Sequence, residues 1–315
     1  MAQTVVKIEN LVKRYGELLA VDHFNLEIKE GEILGLLGPN GSGKTTTINC
    51  LLSLLKYDKG TIEIFGKPMT PDSYDVKREI GIISQNVAVF DELTVLGNID
   101  YFCGLYIKNK SERKQLVEEA IAFTELQDYV KFYPKKLSGG LLRRLNIACG
   151  IAHKPKLIIM DEPTVAVDPQ SRSHILQRII DLNKNGATVI YTSHYMEEVE
   201  QICSRVVIMD KGRNLADGTN EELKLMIKTG ETIHIEILNL PAEHIEAVKN
   251  LPHVFSVSYD DSDSMLTIRC RKGSHNLVTI LNYFIQHNIT CGRVLSELPT
   301  LNDVFLEITG NDLRD

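Results

Sequence analysis

Residues 38 to 46 read Gly38-Pro39-Asn40-Gly41-Ser42-Gly43-Lys44-Thr45-Thr46 and join an apolar strand pattern, Glu32 to Leu37, to a helical one. A strand, a glycine-rich loop ending in Lys-Thr and a helix, in that order, form a nucleotide phosphate site. The glycines let successive backbone N–H groups turn inward around phosphates. Lys44 can reach the β and γ oxygens, and the Thr45 hydroxyl can ligate Mg²⁺. The helix that follows adds the positive end of its dipole. A dinucleotide fingerprint is disfavoured, because Gly41-Ser42-Gly43-Lys44-Thr45-Thr46 ends in Thr where that motif requires glycine.

A chain of 315 residues, 43% of them apolar, suggests one large or two ordinary domains with a packed core. Its net charge of −7 gives no electrostatic reason to expect nucleic acid as the main partner. No run of about 18 apolar residues exists, and the first residues lack the layout of a signal peptide. A soluble, cytoplasmic protein is expected. Cysteines 50, 103, 149, 203, 270 and 291 are scattered without C-x-x-C spacing and read as small, reduced core residues.

The first 70 residues are strand-rich, with short runs at Val5 to Asn10, Asp22 to Ile28, Glu32 to Leu37 and Thr61 to Phe65. From about Val95 to Ala152 the pattern is helical. Leu116, Ala120, Phe123 and Leu126 share one predicted face, and Leu142, Leu145, Cys149 and Ala152 another. Buried-strand runs then appear at Leu157 to Met160, Thr188 to Tyr191 and Val206 to Met209, separated by helical stretches Gln170 to Lys184 and Met196 to Cys203. Strands without alternation, interleaved with helices, indicate a parallel sheet covered on both faces. A loop signal from Gly212 to Thr219 and a helical segment close a first domain, expected to span 1–230, with its helical subdomain at about 86–152.

A second domain, 231–315, restarts as strand Thr232 to Leu238, helix Ala242 to Asn250, strands Val254 to Tyr259 and Met265 to Cys270, helix Asn276 to His287, strand Ile289 to Leu295 and helix Leu301 to Ile308. This is the α+β, ferredoxin-like order. Asp260 to Ser264 reads as the hairpin turn between its middle strands. His234, His244, His253, His275 and His287 read as solvated or structural, not as a metal site.

The run Lys156 to Pro163 sets Asp161 and Glu162 at the end of an apolar strand, where ligands of open parallel sheets gather. Asp161 suits a Mg²⁺ shell, and Glu162 is the candidate general base or water-positioning group for attack on a γ-phosphate. Leu137-Ser138-Gly139-Gly140 precedes a helix from about Leu141, with Ser138 as its N-cap. A hydroxyl, two residues without side chains and a helix N-terminus make a second anion receptor.

With these motifs in place, the segment from Ile8 to about Gly218 resembles the ATP-binding subunit of ABC transporters, Leu137-Ser138-Gly139-Gly140 being its most specific mark. The resemblance implies a P-loop NTPase fold: a RecA-like parallel sheet with an N-terminal antiparallel β subdomain and an inserted helical subdomain. It also implies ATP as substrate and Mg²⁺ held by Thr45, Gln85 and Asp161. Tyr15 would stack on adenine, Gln85 would occupy the loop that senses Mg²⁺ and the membrane partner, Asp168 would lie in the loop crossing a dimer, and His194 would contact the γ-phosphate. On their own residues these four stay open: a packed tyrosine, a solvent-facing glutamine, a structural histidine and an N-cap for the helix from Pro169. The catalytic set the resemblance implies is Lys44, Glu162 and His194. Gly38 to Thr46, Tyr15, Gln85, Ser138, Gly139, Gly140 and Asp168 bind nucleotide.

By the same resemblance two copies associate head to tail, each ATP lying between one phosphate loop and the opposite Leu-Ser-Gly-Gly segment. A separate permease is the membrane partner, which makes the chain peripheral on the inner face of the membrane. Two departures stand out: Leu141-Leu142 where a polar or mixed pair is common, and Ala166 where glycine or another small residue is common, which costs about 1 kcal/mol or more if φ there is positive. Leu298 to Gly310 looks like the closing segment of ATPases paired with ABC-2-type permeases, exporters of drugs, antibiotics, ions or polysaccharides. Read from its pattern alone, it is an amphipathic helix packing Val304, Phe305 and Ile308. Rival readings are a soluble ATPase acting on ribosomes or DNA and a regulatory or immunity module, but neither fused ATPase domains nor long coiled coils are present.

Overall fold

The structure, a computed structural model, describes residues 3–165, 167–272 and 276–310. Ala166 and His275 therefore lie outside the described residues. The chain divides into two compact units at Thr219/Asn220.

In the first unit, strands β1 (Thr4–Tyr15) and β2 (Leu18–Lys29) form a hairpin, and β3 (Ile33–Leu37) runs through the glycine loop into α1 (Lys44–Leu51). Strands β4 (Lys59–Ile64) and β5 (Lys67–Pro68) complete an antiparallel sheet of order β2-β1-β4-β5. Its inner face packs Val6, Ile8, Phe24 and Ile28 with Leu34, Leu36, Ile48 and Leu51, so the sheet buries one side of the β3–α1 unit. After the short α2 (Tyr74–Lys77) and β6 (Ile80–Ile83) come three helices, α3 (Val95–Gly104), α4 (Lys110–Thr124) and α5 (Gly139–Ile151). They enclose a separate core of Val95, Ile99, Val117, Ile121, Leu145 and Ala148. On α4 the fully buried face is Val117, Ala120, Ile121 and Thr124; Leu116 and Phe123 sit half-buried at its margin, one position off the predicted stripe.

The remaining elements are β7 (Leu157–Asp161), α6 (Pro169–Lys184), β8 (Thr188–Ser193), α7 (Met196–Ile202), β9 (Arg205–Asp210) and β10 (Arg213–Gly218). They build a six-stranded sheet of order β10-β9-β3-β8-β7-β6, parallel except for β10. Every residue of β3 and β8 is buried, as expected for strands covered on both faces. The predicted loop at 212–219 is a correction: Arg213–Gly218 is an edge strand. Lys211 (φ 46°) and Gly212 (φ 79°) form a two-residue hairpin turn whose twist matches an antiparallel pair.

The second unit begins with α8 (Asn220–Met226), which the sequence reading assigned to the first domain. Leu223 is fully buried, and the segment after α8 is tied to the last helix by Lys228 and Thr229 amides donating to Glu307. Then follow β11 (Thr229–Glu236), α9 (Ala242–Lys249), β12 (Val254–Asp260), β13 (Met265–Arg271), α10 (Leu277–Gln286), β14 (Val294–Glu297) and α11 (Leu301–Thr309). The antiparallel order β12-β13-β11-β14 is the ferredoxin-like topology. Asp260 Oδ1 accepts from the Ser262 amide and hydroxyl at 2.9 and 2.7 Å, which shapes the predicted turn. The fourth strand starts later than Ile289, because pairing begins only where the Glu236 amide reaches the Arg293 carbonyl. Helix α11 buries Leu301, Val304 and Phe305, with Ile308 half-buried. Two of the histidines come together: His244 bonds Tyr283 Oη through Nδ1 at 2.8 Å, and its ring centroid lies 5.5 Å from that of His287. Five of the six cysteines are buried, and burial pushes the Cys50 and Cys103 thiols up to about 11.

Candidate active site

Strand order decides which loops meet. β3, β8, β7 and β6 are neighbours, and their registers pair Leu37 with Ser193, Thr192 with Asp161 and Met160 with Ile83. Four strand ends therefore deliver Gly38, Thr192 to His194, Asp161 with Glu162, and Ser84 with Gln85 to one edge of the sheet.

In the phosphate loop, Gly43 has φ 107°, and a Cβ there would lie 2.5 Å from the Ala20 carbonyl, so both conformation and space demand glycine. Lys44 is 5% exposed and donates to the Gly38 and Pro39 carbonyls at 2.7 and 3.1 Å. Burial lowers its pKa from the usual lysine value, and the nearby Glu162 and Asp161 carboxylates partly oppose that. The Gly212 amide donates to the Ser42 carbonyl at 2.9 Å, so the β9–β10 turn braces the loop from outside.

Glu162 is the hub. It is 8% exposed, adopts φ 47°, and its Oε1 lies 4.0 Å from Lys44 Nζ and 3.4 Å from His194 Nδ1. Gln85 Nε2 donates to Glu162 Oε2 at 3.1 Å. Beside it, Thr45 Oγ1 donates to Asp161 Oδ2 at 3.2 Å, and Thr192 Oγ1 donates to Asp161 Oδ1 at 2.6 Å while accepting from the Glu162 amide at 3.0 Å. The converging Thr45 hydroxyl and Asp161 carboxylate are hard oxygen donors of the kind Mg²⁺ takes. A carboxylate flanked by an ammonium, an amide and an imidazole can orient a water and accept its proton.

The other predicted residues form a separate constellation. Ser138 Oγ accepts from the Leu141 amide at 3.3 Å and caps α5, which starts at Gly139, two residues before the expected Leu141. Asp168 caps α6 by accepting from the Ser171 amide at 2.9 Å, a bond that holds its carboxyl below the usual range. The two helix starts abut: a Cβ on Gly140 would sit 2.4 Å from Ser171 Oγ. Tyr15 stands apart at the β1–β2 hairpin, 47% exposed, with Lys13 Nζ 5.0 Å from its ring centroid.

Sequence reasoning missed the supports. The buried Arg143 guanidinium donates to the Ser84 and Gln85 carbonyls at 3.0 and 2.9 Å, and Asn146 adds bonds to Ser84 and Ala88, so the helix behind Ser138 also carries the Gln85 loop. The available signal was a charge on the buried stripe Gly140, Arg143, Ile147. Thr192 offered only a hydroxyl at the end of an apolar strand beside His194. Among the described residues no group of three or more His, Cys, Asp or Glu side chains could hold a metal ion, and no helix is long and apolar enough to cross a membrane.

Comparison with known proteins gives the family. The chain is 36% identical over 311 residues to the linearmycin resistance ATP-binding protein LnrL of Bacillus subtilis (strain 168), covering 99% of this chain and 100% of the relative. The chain belongs to the ATP-binding subunits of ABC transporters. The family described as ABC transporter matches residues 21–165 of this ATPase subunit. The subunit is 32% identical to the daunorubicin resistance ATP-binding protein DrrA3 of Streptomyces coeruleorubidus, covering all of this chain and 98% of that one. It is also 30% identical to the Nod factor export ATP-binding protein I of Ralstonia nicotianae, covering 99% of this chain and 95% of the relative. Among solved structures, cbiO1 of Clostridium perfringens, part of the ABC transporter complex cbiONQ, superposes with a TM-score of 0.66 at 26% identity over 79% of this chain and 96% of that one. A dimeric ATP-binding cassette in a post-hydrolysis state bound to ADP and Pi superposes at 0.62 with 28% identity, over 68% of this chain and 98% of its own.

Proposed function

We propose that this subunit hydrolyses ATP at a site completed by a second copy and drives a separate membrane permease in export. The carrying observation is the convergence of Lys44, Gln85 and His194 on Glu162, beside Thr45 and Asp161. Lys44 and the loop amides from Gly38 to Thr46 bind the β and γ phosphates, and Tyr15 stacks on the base. Glu162 orients the attacking water and takes its proton, with His194 on the γ-phosphate. Thr45, Asp161 and Gln85 are the residues that would hold Mg²⁺, which when bound neutralises charge on the phosphates.

Ser138, Gly139, Gly140 and Asp168 serve the partner's nucleotide. Within one chain Ser138 and Asp168 each bond the first turn of their own helix, α5 and α6, and solved cassettes of this fold form dimers. Near the Gln85 loop, Phe90, Leu96, Tyr101 and Leu105 are all exposed, with Phe90 and Tyr101 in edge contact at 4.9 Å. This apolar surface suits a permease at the cytoplasmic face of the membrane. Relatives named for linearmycin and daunorubicin resistance favour an antibiotic as cargo. The test is Glu162→Gln: turnover is lost, ATP binding is retained and an ATP-dependent dimer accumulates. Wild-type turnover in that variant sinks the assignment.

A further inference from the structure

Strand β14 closes one side of the second sheet, and all four of its residues are exposed. Open sheet edges normally carry an inward charge, a proline, a bulge or a covering element, because unpaired N–H and C=O groups recruit another strand. β14 is short, its one charge is the terminal Glu297, and a bulge stands just before it, where Gly292 and Arg293 both bond Glu236; among the described residues no proline interrupts it. Val294 and Leu295 are 36% and 39% exposed, Leu298 just beyond is 80% exposed, and the register against β11 is unbroken from Val294 to Glu297. Its charges are Arg293, just before the strand, and Glu297, its last residue, whose Oε2 lies 4.0 Å from His234 Nε2 on β11.

Hydrogen-bond direction limits what such an edge can accept. The Glu236 amide donates to the Arg293 carbonyl at 2.9 Å, so Arg293 turns its backbone toward β11. By the two-residue repeat of a strand Leu295 and Glu297 do the same, and Val294 and Ser296 present their N–H and C=O groups outward. A two-fold antiparallel partner must bond to those outward groups. Registers centred on Val294 or Ser296 satisfy this but set Leu295 against Arg293 or Glu297. The register centred on Leu295 pairs Val294 with Ser296, Leu295 with Leu295, and Arg293 with Glu297 twice over.

We infer that β14 is a self-recognition edge: two copies of this chain join their second sheets by antiparallel β14 pairing centred on Leu295, locked by two Arg293–Glu297 contacts. The isologous geometry closes after two copies and consumes both edges. The contact needs no nucleotide. It tethers two ATPase units, so that their ATP-driven association proceeds at an effective concentration set by the tether and not by the bulk.

The test uses the full chain without nucleotide. In a Cys291→Ala background, Leu295→Cys should yield an interchain disulfide under mild oxidation. Residues facing each other in a non-hydrogen-bonded pair have Cα atoms about 4.5 Å apart, within disulfide range. Val294→Cys and Ser296→Cys, each displaced from its own copy by about 7 Å along the strand, should not cross-link. In sedimentation, Arg293→Glu and Glu297→Arg should each weaken the dimer on the order of tenfold, and the double variant should restore it. A monomeric wild type, cross-linking at 294 in place of 295, or charge variants that sediment like the wild type would each overturn the proposal.

Discussion

Thr192→Val isolates one hydroxyl that holds both acidic residues of the site. Thr192 is fully buried, and valine keeps its shape, so no cavity opens. The hydroxyl's bond to the Asp161 carboxylate is worth about 1.5–3 kcal/mol as a hydrogen bond to a charged group. The Glu162 amide loses less, because it also donates to the Thr192 carbonyl at 3.2 Å. Glu162 sits at φ 47°, a left-handed conformation that costs a non-glycine residue about 1–2 kcal/mol. An anchor of about 2 kcal/mol holds against that strain, and without it the relaxed backbone competes. Each 1.4 kcal/mol of lost bias is roughly a tenfold loss of the productive geometry. Thr192→Val should therefore unfold in urea about 2 kcal/mol sooner and release phosphate from ATP about tenfold more slowly. Thr192→Ser, which keeps the hydroxyl and loses one buried methyl, should retain turnover at a stability cost of about 1 kcal/mol. Equal turnover in the wild type, Thr192→Val and Thr192→Ser would refute the anchoring argument.

Lys44→Met should abolish nucleotide binding yet raise stability without nucleotide, since burial disfavours the charged amine; a lower urea midpoint for Lys44→Met counts against that reading. Because the folded-state pKa of Lys44 lies below the ordinary 10.5, the unfolded chain binds more protons in the window between them. Stability attributable to Lys44 thus rises with pH there, and the rise should vanish in Lys44→Met. His153 is buried, stacked on Tyr106 at 3.9 Å, and burial lowers its pKa below 6.5. The unfolded state again takes up more protons, so stability should fall as pH drops below about 6.5, and His153→Phe should flatten that slope in urea titrations. Arg143→Met should cost about 2 kcal/mol and speed amide hydrogen exchange around Gln85 while sparing the β14 edge. Unchanged exchange there would mean that the Gln85 loop stands without its support.

Local chemistry wrote the legible parts of this protein. A loop that wraps phosphate needs positive φ, and Gly41 at 81° and Gly43 at 107° supply it where the sequence shows glycine. Ser138 and Asp168 cap the helices that begin beside them, and Thr188 to Tyr191 is apolar without alternation because both faces of β8 are covered. The ferredoxin-like order was readable for the same reason, one apolar run per element. Less legible was the end of an element whose neighbours lie far along the chain. Arg213–Gly218 became a strand through pairing with β9, and β14 began only where β11 could reach it.

The sequence alone determined a glycine-rich Lys-Thr loop between a strand and a helix, two acidic residues at a strand end and a serine-capped Gly-Gly helix start, because each is a pattern within a few consecutive residues. Tertiary structure decided that Glu162 gathers Lys44, Gln85 and His194, that Thr192 anchors Asp161, and that Arg143 carries the Gln85 loop. Those partners lie 31 to 118 positions apart, from Asp161–Thr192 to Lys44–Glu162. The strand order β3-β8-β7-β6 brings them to one end of the sheet, and that order consists of pairings between strands far apart in sequence, which no local pattern carries.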